Sequence, residues 1–412
     1  VKRAVVVAVI AVVALIALWP GCGDEVGAPI EEPRKELSEA ATRLTESDNR
    51  FGLNLFGEIV GAEPERNIFI SPLSVSMAFG MTFNGAGGET ELAMRDVLEY
   101  GDLTGEEINQ SYRDIIDVLS GLDPDVEFSI ANSIWHRVEL SFKREFLDVN
   151  RRYFDAEVTA LNFGAPDAAS IINGWVNEKT NGRIEEIVDD PIDPSLIMFL
   201  INAIYFKGAW TYEFDPEETY DGVFHLPDGS EGPCRMMAMQ DTFSYQYTKD
   251  FQAVEMRYGR GDFSMVVLLP RKDLHVDDLI GMMSPENLKV WLQGFAEESI
   301  HYAMPKFTLE YEISLKDVLT AMGMGIAFDP GRADLRGLYE GFDNAYIDRV
   351  KHKTFVKVDE EGTEAAAVTS IGIGKTSMPP SMIVDRPFVF IIRDSHTNTV
   401  LFVGKVVEPL LE

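Results

Sequence analysis

Residues 353–358 (KTFVKV) and 387–393 (PFVFIIR) both read as strands, and the stretch between them is written in two incompatible styles. Residues 360–380, EEGTEAAAVTSIGIGKTSMPP, are long for a connection inside a compact domain, where such a loop is functional or disordered. Yet the side chains alternate as they do in a strand. Thr363, Ala365, Ala367, Thr369, Ile371 and Ile373 form one set, small at first, then apolar, and free of charge. Glu364, Ala366, Val368, Ser370, Gly372 and Gly374 form the other, which holds the single charge between Thr363 and Gly374. Residues two apart share one face of a strand, so this loop carries a face fit for burial. A stretch written as a strand thus sits where an exposed loop should be.

The rest of the chain supplies a large core for that fold. Of 412 residues, 46% are apolar and 25% charged, the balance of a globular protein. Acidic residues outnumber basic ones 68 to 36, for a net charge of −32. A field of that sign repels phosphate backbones and anionic headgroups, which argues against nucleic acid as a partner. The excess is spread along the sequence and reads as a solubility or salt-adaptation device.

Residues 1–21 read as an export signal. Lys2 and Arg3 precede an apolar run over residues 4–18, which is shorter than the roughly 20 residues of a spanning helix. Gly21-Cys22 is similar to the end of a bacterial lipoprotein signal, in which Cys22 takes the lipid; Trp19 and Pro20 depart from the small residues usual there. Plain secretion is the alternative. Residues 22–39, rich in Gly, Pro and Glu, read as a flexible tether, and residues 40–412 as one domain. With lipid on Cys22, the second cysteine, Cys234, has no partner within the chain and reads as a small apolar core residue.

Strand and helix signals interleave through this domain, which predicts an α+β fold. Phe51, Leu55 and Ile59 recur at helical spacing. Ser71 suits an N-cap and Pro72 a first helical position, opening a helix apolar nearly all round. Residues 128–135 (FSIANSIW) alternate as a strand with Asn132 breaking the apolar face, and residues 168–180 read as a helix. Residues 196–206 (LIMFLINAIYF) predict a strand buried on both faces, in which the Asn202 amide needs partners.

Catalytic signatures are missing. G-x-S-x-G, H-E-x-x-H and C-x-x-C do not occur, and no two of the six histidines stand three or four residues apart, so neither a hydrolase nor a metal or cofactor site is expected. Gly374-Lys375-Thr376 looks like the end of a phosphate-binding loop, but Thr369 stands where its first glycine belongs and Pro379-Pro380 where its helix should run.

Six motifs, in order, are similar to those of the serpin family: NIFISPLSVSMAF (67–79), INGWVNEKTNGRIEEIV (172–188), LINAIYFKGAW (200–210), MPKF (304–307), DEEGTEAAA (359–367) and RPFVFIIRDSHTNTVLFVGKVVEP (386–409). The resemblance covers residues 40–410. It implies a large central β-sheet, two smaller sheets, eight or nine helices and an exposed reactive loop near the C-terminus. It also implies a monomer that needs no cofactor and acts as a suicide inhibitor, not an enzyme. A serine protease attacks the loop and forms an ester, and the cleaved loop then inserts into the central sheet. Distortion of the protease's triad and oxyanion hole strands the ester in a covalent complex. Serpin loop insertion is a recognised instance of strand addition and of a stored-strain switch.

Under that resemblance the hinge is Glu360, Gly362, Thr363, Glu364, Ala365, Ala366 and Ala367. Its inward positions are uncharged, as insertion requires, and non-inhibitory relatives commonly break that pattern. Seventeen residues counted from Glu360, the family's usual span, place the attacked bond at Thr376-Ser377, which suits elastase- or subtilisin-like proteases. The alternative bond, Lys375-Thr376, suits a trypsin-like one. Ser71, Ser74, Asn202 and His352 correspond to the family's polar cluster beneath the sheet, and Trp210 to its tryptophan at the top. A non-inhibitory binding or chaperone-like member is the alternative function.

Overall fold

The computed structural model describes residues 36–193, 195–341, 345–363 and 380–410. Residues 1–21, read above as an export signal, and Cys22, Glu364, Ala365, Ala366, Ala367, Lys375, Thr376 and Ser377 therefore lie outside the described residues.

Helix α1 (Glu39–Ala62) starts where the Ser38 hydroxyl accepts from the Ala41 N–H, and it buries Phe51, Leu55 and Ile59 completely. A short strand, β1 (Ile68–Ile70), runs into Ser71, which caps α2 (Pro72–Phe83) by accepting from the Ser74 N–H. Every α2 residue except Ala78 is buried, because the helix runs through the middle of the molecule, and its all-round apolar sequence is what that position demands. Then follow α3 (Gly88–Val97), α4 (Gly105–Leu119), β2 (Val126–Arg137), α5 (Arg144–Phe154), β3 (Glu157–Leu161), α6 (Ala168–Lys179) and β4 (Met198–Ala209). Four strands come next, β5 (Tyr220–His225), β6 (Glu231–Tyr247), β7 (Phe251–Tyr258) and β8 (Phe263–Pro270). The chain continues through α7 (Val276–Gly281), α8 (Pro285–Gln293), β9 (Ala296–Pro305), β10 (Phe307–Ser314) and α9 (Lys316–Ala321). It closes with β11 (Lys351–Val358), β12 (Gly362–Thr363), β13 (Ser381–Ile383), β14 (Phe388–Asp394) and β15 (Val400–Val406). The described residues thus hold nine α-helices with interleaved strands, an α+β fold.

The strands form two sheets. One has six strands in the order β10-β11-β12-β4-β2-β3. The other runs β1-β15-β14-β8-β7-β6-β9-β13, with β5 added on β6. The two smaller sheets expected from the sequence are continuous here, because β6 spans 17 residues. Its first part pairs with β5 and its last part with β7, while β9 pairs along most of its length.

Strand β4 refines the expectation of burial on both faces. Ile201 and Ala203 pack under α6 in a small separate core with Trp135, Ile172 and Trp175. On the other face Phe206 is buried in the main core, but Met198, Leu200 and Ile204 are only half-buried. Both faces are covered, then. The partial exposure arises at the strand's edge, where β4 borders a cleft.

Candidate functional site

That cleft lies in the six-stranded sheet. β11 pairs fully with β10, and β4 fully with β2. Between β11 and β4, among the described residues, stands only β12, with Thr363 opposite Val358 on one side and Gly208 on the other. Below β12 opens a cavity of about 570 Å³, lined by β4 residues from Met198 to Phe206 and by β11 residues from Lys351 to Val356. Below β12 the facing edges of β4 and β11 carry no ladder partner among the described residues, and two such edges form an acceptor for a further strand.

The top of the slot is built around Trp210. Its ring stacks on Tyr258 with centroids 4.4 Å apart, its indole N–H donates to the Asp359 carbonyl (3.0 Å) and its backbone N–H to Glu361 (2.9 Å). The turn Asp359–Gly362 closes with a 3.0 Å hydrogen bond from the Asp359 N–H to the Gly362 carbonyl. Gly362 has φ +150°, and a Cβ there would stand 2.2 Å from the Gly208 carbonyl oxygen, so only glycine fits this approach. Thr363 faces the core, as its set in the alternation predicts, and shares a 2.8 Å hydroxyl hydrogen bond with Tyr258. Of the residues read as the hinge, Gly362 and Thr363 form β12, and they and Glu360 in the preceding turn are buried.

Glu360 sits in this corner as a carboxylate. The Lys306 ammonium lies 2.5 Å from one oxygen, and the Thr219 hydroxyl donates to the other at 2.7 Å. Burial pushes its pKa up, but the Lys306 and Thr219 hydrogen bonds outweigh burial and hold it below the ordinary carboxylate value. Lys306, within MPKF, and Tyr258 are two partners that sequence reasoning did not single out. The motif around Lys306 was a usable signal; Tyr258 had none, since only the fold brings β7 to the hinge.

Farther down lies the polar cluster. His352 Nε2 accepts from the Ser71 N–H (3.1 Å), and the Ser71 hydroxyl donates to the Leu401 carbonyl (2.7 Å). The Ser74 hydroxyl donates to the Asn202 carbonyl (3.3 Å). The Asn202 amide donates to Asn132 Oδ1 (2.7 Å), and Asn132 in turn donates to the Phe154 carbonyl (2.7 Å). Ser71, Ser74, Asn202 and His352 thus converge, with Asn132 completing the chain. Asn202 Oδ1 is buried with no donor among the described residues, so its amide is only half satisfied. Burial alone lowers the His352 pKa to about 4, and the imidazole is neutral. Trp210 does not belong to this cluster. It directly follows β4, eight residues on from Asn202, about 26 Å at strand rise.

Cys234 is buried, and burial, then the nearby Asp385 carboxylate, raises its thiol pKa, which suits a packing residue. Among the described residues no group of three or more His, Cys, Asp or Glu side chains could hold a metal ion, and no helix is long and apolar enough to cross a membrane.

Known proteins share this architecture. The family model described as "Serpin (serine protease inhibitor)" matches residues 46–409. Iripin-2 of Ixodes ricinus is 34% identical over 380 residues, covering 90% of this chain and 94% of its own. Human neuroserpin is 32% identical over 387 residues, covering 91% and 94%. Among solved structures, the thermophilic serpin tengpin in its native state superposes with a TM-score of 0.82 at 30% identity, covering 92% of this chain and 96% of that one. Human thyroxine-binding globulin complexed with its hormone also gives 0.82, at 27% identity, covering 90% and 100%. With the family model matched over residues 46–409 and the fold shared over nine-tenths of the chain, the chain belongs to the serpin family.

Proposed function

We propose that this serpin is a suicide inhibitor of serine proteases, trapping the acyl-enzyme by inserting its cleaved loop into the slot between β4 and β11. The observation that carries the reading is the fit between slot and loop. Continuing the antiparallel register of β12 would set Ala365 between Phe206 and Val356, two core residues. Glu364 would stand on the outer face between Lys207 and Lys357, a charge met by two cations. Thr369 would come between His352 and Asn202, where its hydroxyl would supply the donor that Asn202 Oδ1 lacks. These three loop residues suit their slot positions.

The attacked bond is Thr376-Ser377 in this reading, for an elastase- or subtilisin-like protease; the Lys375-Thr376 alternative favours a trypsin-like one. Mixing the protein with all three enzyme types should give an SDS-stable covalent adduct with at least one. The released C-terminal peptide should begin at Ser377, or at Thr376 for the alternative bond. If every enzyme clips the loop and keeps full activity, the inhibitory reading falls.

A second reading, a non-inhibitory binding member, is favoured by the likeness to thyroxine-binding globulin, whose structure holds a small ligand. Loop cleavage separates the two, because insertion adds a strand of contacts and should raise Tm sharply. The amino-terminal pattern supports export, with lipid on Cys22 or as free protein, and detergent phase partitioning distinguishes these.

A further inference from the structure

The segment between α6 and β4 crosses the cleft, and its two sides are held by different physics. Toward β4 the attachment is apolar: Ile184, Val188, Ile192 and Leu196 pack with α6 and with Ile201 and Ala203 of β4 in the small separate core. Toward β11 it is ionic. Asp189 accepts from Arg349 (3.0 Å) and from Lys351 (3.0 Å), and Asp193 lies 3.4 Å from Arg349. The Arg183 guanidinium also lies over the Phe355 ring of β11, 5.0 Å from its centroid. The same segment lines the cavity through Ile184, Ile187, Val188 and Leu196. It therefore roofs the lower slot.

The pairs are built to open. Lys351 keeps Glu312 of the neighbouring strand β10 at 3.4 Å, and Arg349 keeps Asp348 at 3.1 Å, so both cations retain an anion on their own side when Asp189 and Asp193 leave. Asp189 and Arg349 are exposed, so water replaces the lost contacts at little cost. The apolar side, by contrast, stays welded to β4. Separation would then occur along one line, between the α6–β4 segment and β11.

We infer that Asp189 and Asp193, paired with Arg349 and Lys351, form an electrostatic clasp that holds the slot's lower roof against β11 and sets the rate of the last stage of strand insertion. The clasp rests on the inhibitory reading for its purpose, but its test needs no protease. The probe is a synthetic peptide of residues 364–376 added to the full chain, with insertion followed by the rise in Tm over time. Insertion should be slower at low ionic strength and speed up as salt screens the pairs. Asp189→Asn should accelerate it roughly threefold at low salt, the size expected for losing two exposed pairs, and should remove most of the salt dependence. Arg349→Gln should do the same, which guards against a fault peculiar to one variant. Unchanged rates in both variants, with salt dependence intact, would overturn the clasp while leaving the slot in place. A wild-type protein whose Tm never responds to the peptide would instead remove the acceptor slot, and the inhibitory reading with it.

Discussion

Two buried polar clusters in this molecule each hold one acid-range titrating group with no counter-charge beside it, and they respond to acid in opposite directions. In the helical layer, Asp48 of α1 accepts from the Ser76 hydroxyl of α2 and from the Tyr112 hydroxyl of α4 (3.1 Å), and Tyr112 also bonds Tyr100 (3.0 Å). Asp48 Oδ2 has no partner among the described residues. Under the sheet, His352 accepts one backbone N–H. Neither group has an opposite charge beside it, so burial decides: the Asp48 pKa rises to about 7, against the pull of its two hydroxyl partners, and the His352 pKa falls to about 4. Around pH 5 both are neutral. Glu360, less deeply buried and with Lys306 beside it, stays charged. Hydroxyl donors alone do not hold a buried charge here; an ammonium does.

The largest test is on Asp48. Its folded pKa lies above its unfolded one, so its contribution is fully present below about pH 4 and lost as pH rises through 7. The shift from 3.8 to about 7 corresponds to about 4 kcal/mol. Urea midpoints of Asp48→Asn should lack that decline, so the variant should gain on the wild type between pH 5 and pH 8. Equal pH slopes for the two proteins would break the comparison.

His352 carries the opposite sign. Its folded pKa is depressed, so stability is present above pH 6.5 and lost as pH falls through 4, a change of about 3 kcal/mol. His352→Gln keeps an acceptor for the Ser71 N–H and should resist acid better than wild type. Because the two windows overlap between about pH 4 and 6.5, wild-type stability should look nearly flat there. Each single variant would then unmask the other's slope.

The smallest effect is at the hinge corner. Lys306→Met should destabilise by roughly 2 kcal/mol, since it leaves the Glu360 carboxylate buried with Thr219 as its remaining side-chain partner. Adding Glu360→Gln should restore much of the loss, and calorimetry on the four proteins of this cycle measures the coupling. With no such rescue, the ammonium is not what separates Glu360 from Asp48.

Much of the architecture was legible in the sequence because it depends on local rules. Ser71-Pro72 announced a capped helix, the helical spacing of Phe51, Leu55 and Ile59 announced α1, and the apolar run of residues 388–392 announced β14. The half-burial of β4 was not legible. Residues 196–206 read as fully covered, and only the cleft beside them accounts for the exposed edge. The joining of the two smaller sheets was equally hidden, because strand length does not say which neighbours share it.

At the site the division is similar. The alternation of residues 363–373 by itself determined that one face of the hinge is fit for burial, because side-chain direction along a strand follows sequence parity. Gly362 entered only as one of the hinge residues that the serpin resemblance implies. Which strands Gly362 and Thr363 pair with, tertiary structure alone decided. The partners of Thr363 lie on Val358, Gly208 and Tyr258, and those of Glu360 on Lys306 and Thr219, from segments that meet only in the fold. The ion pairs of the α6–β4 segment belong there too. Asp189 and Arg349 are 160 residues apart, and a surface charge carries no local mark of the partner it will face.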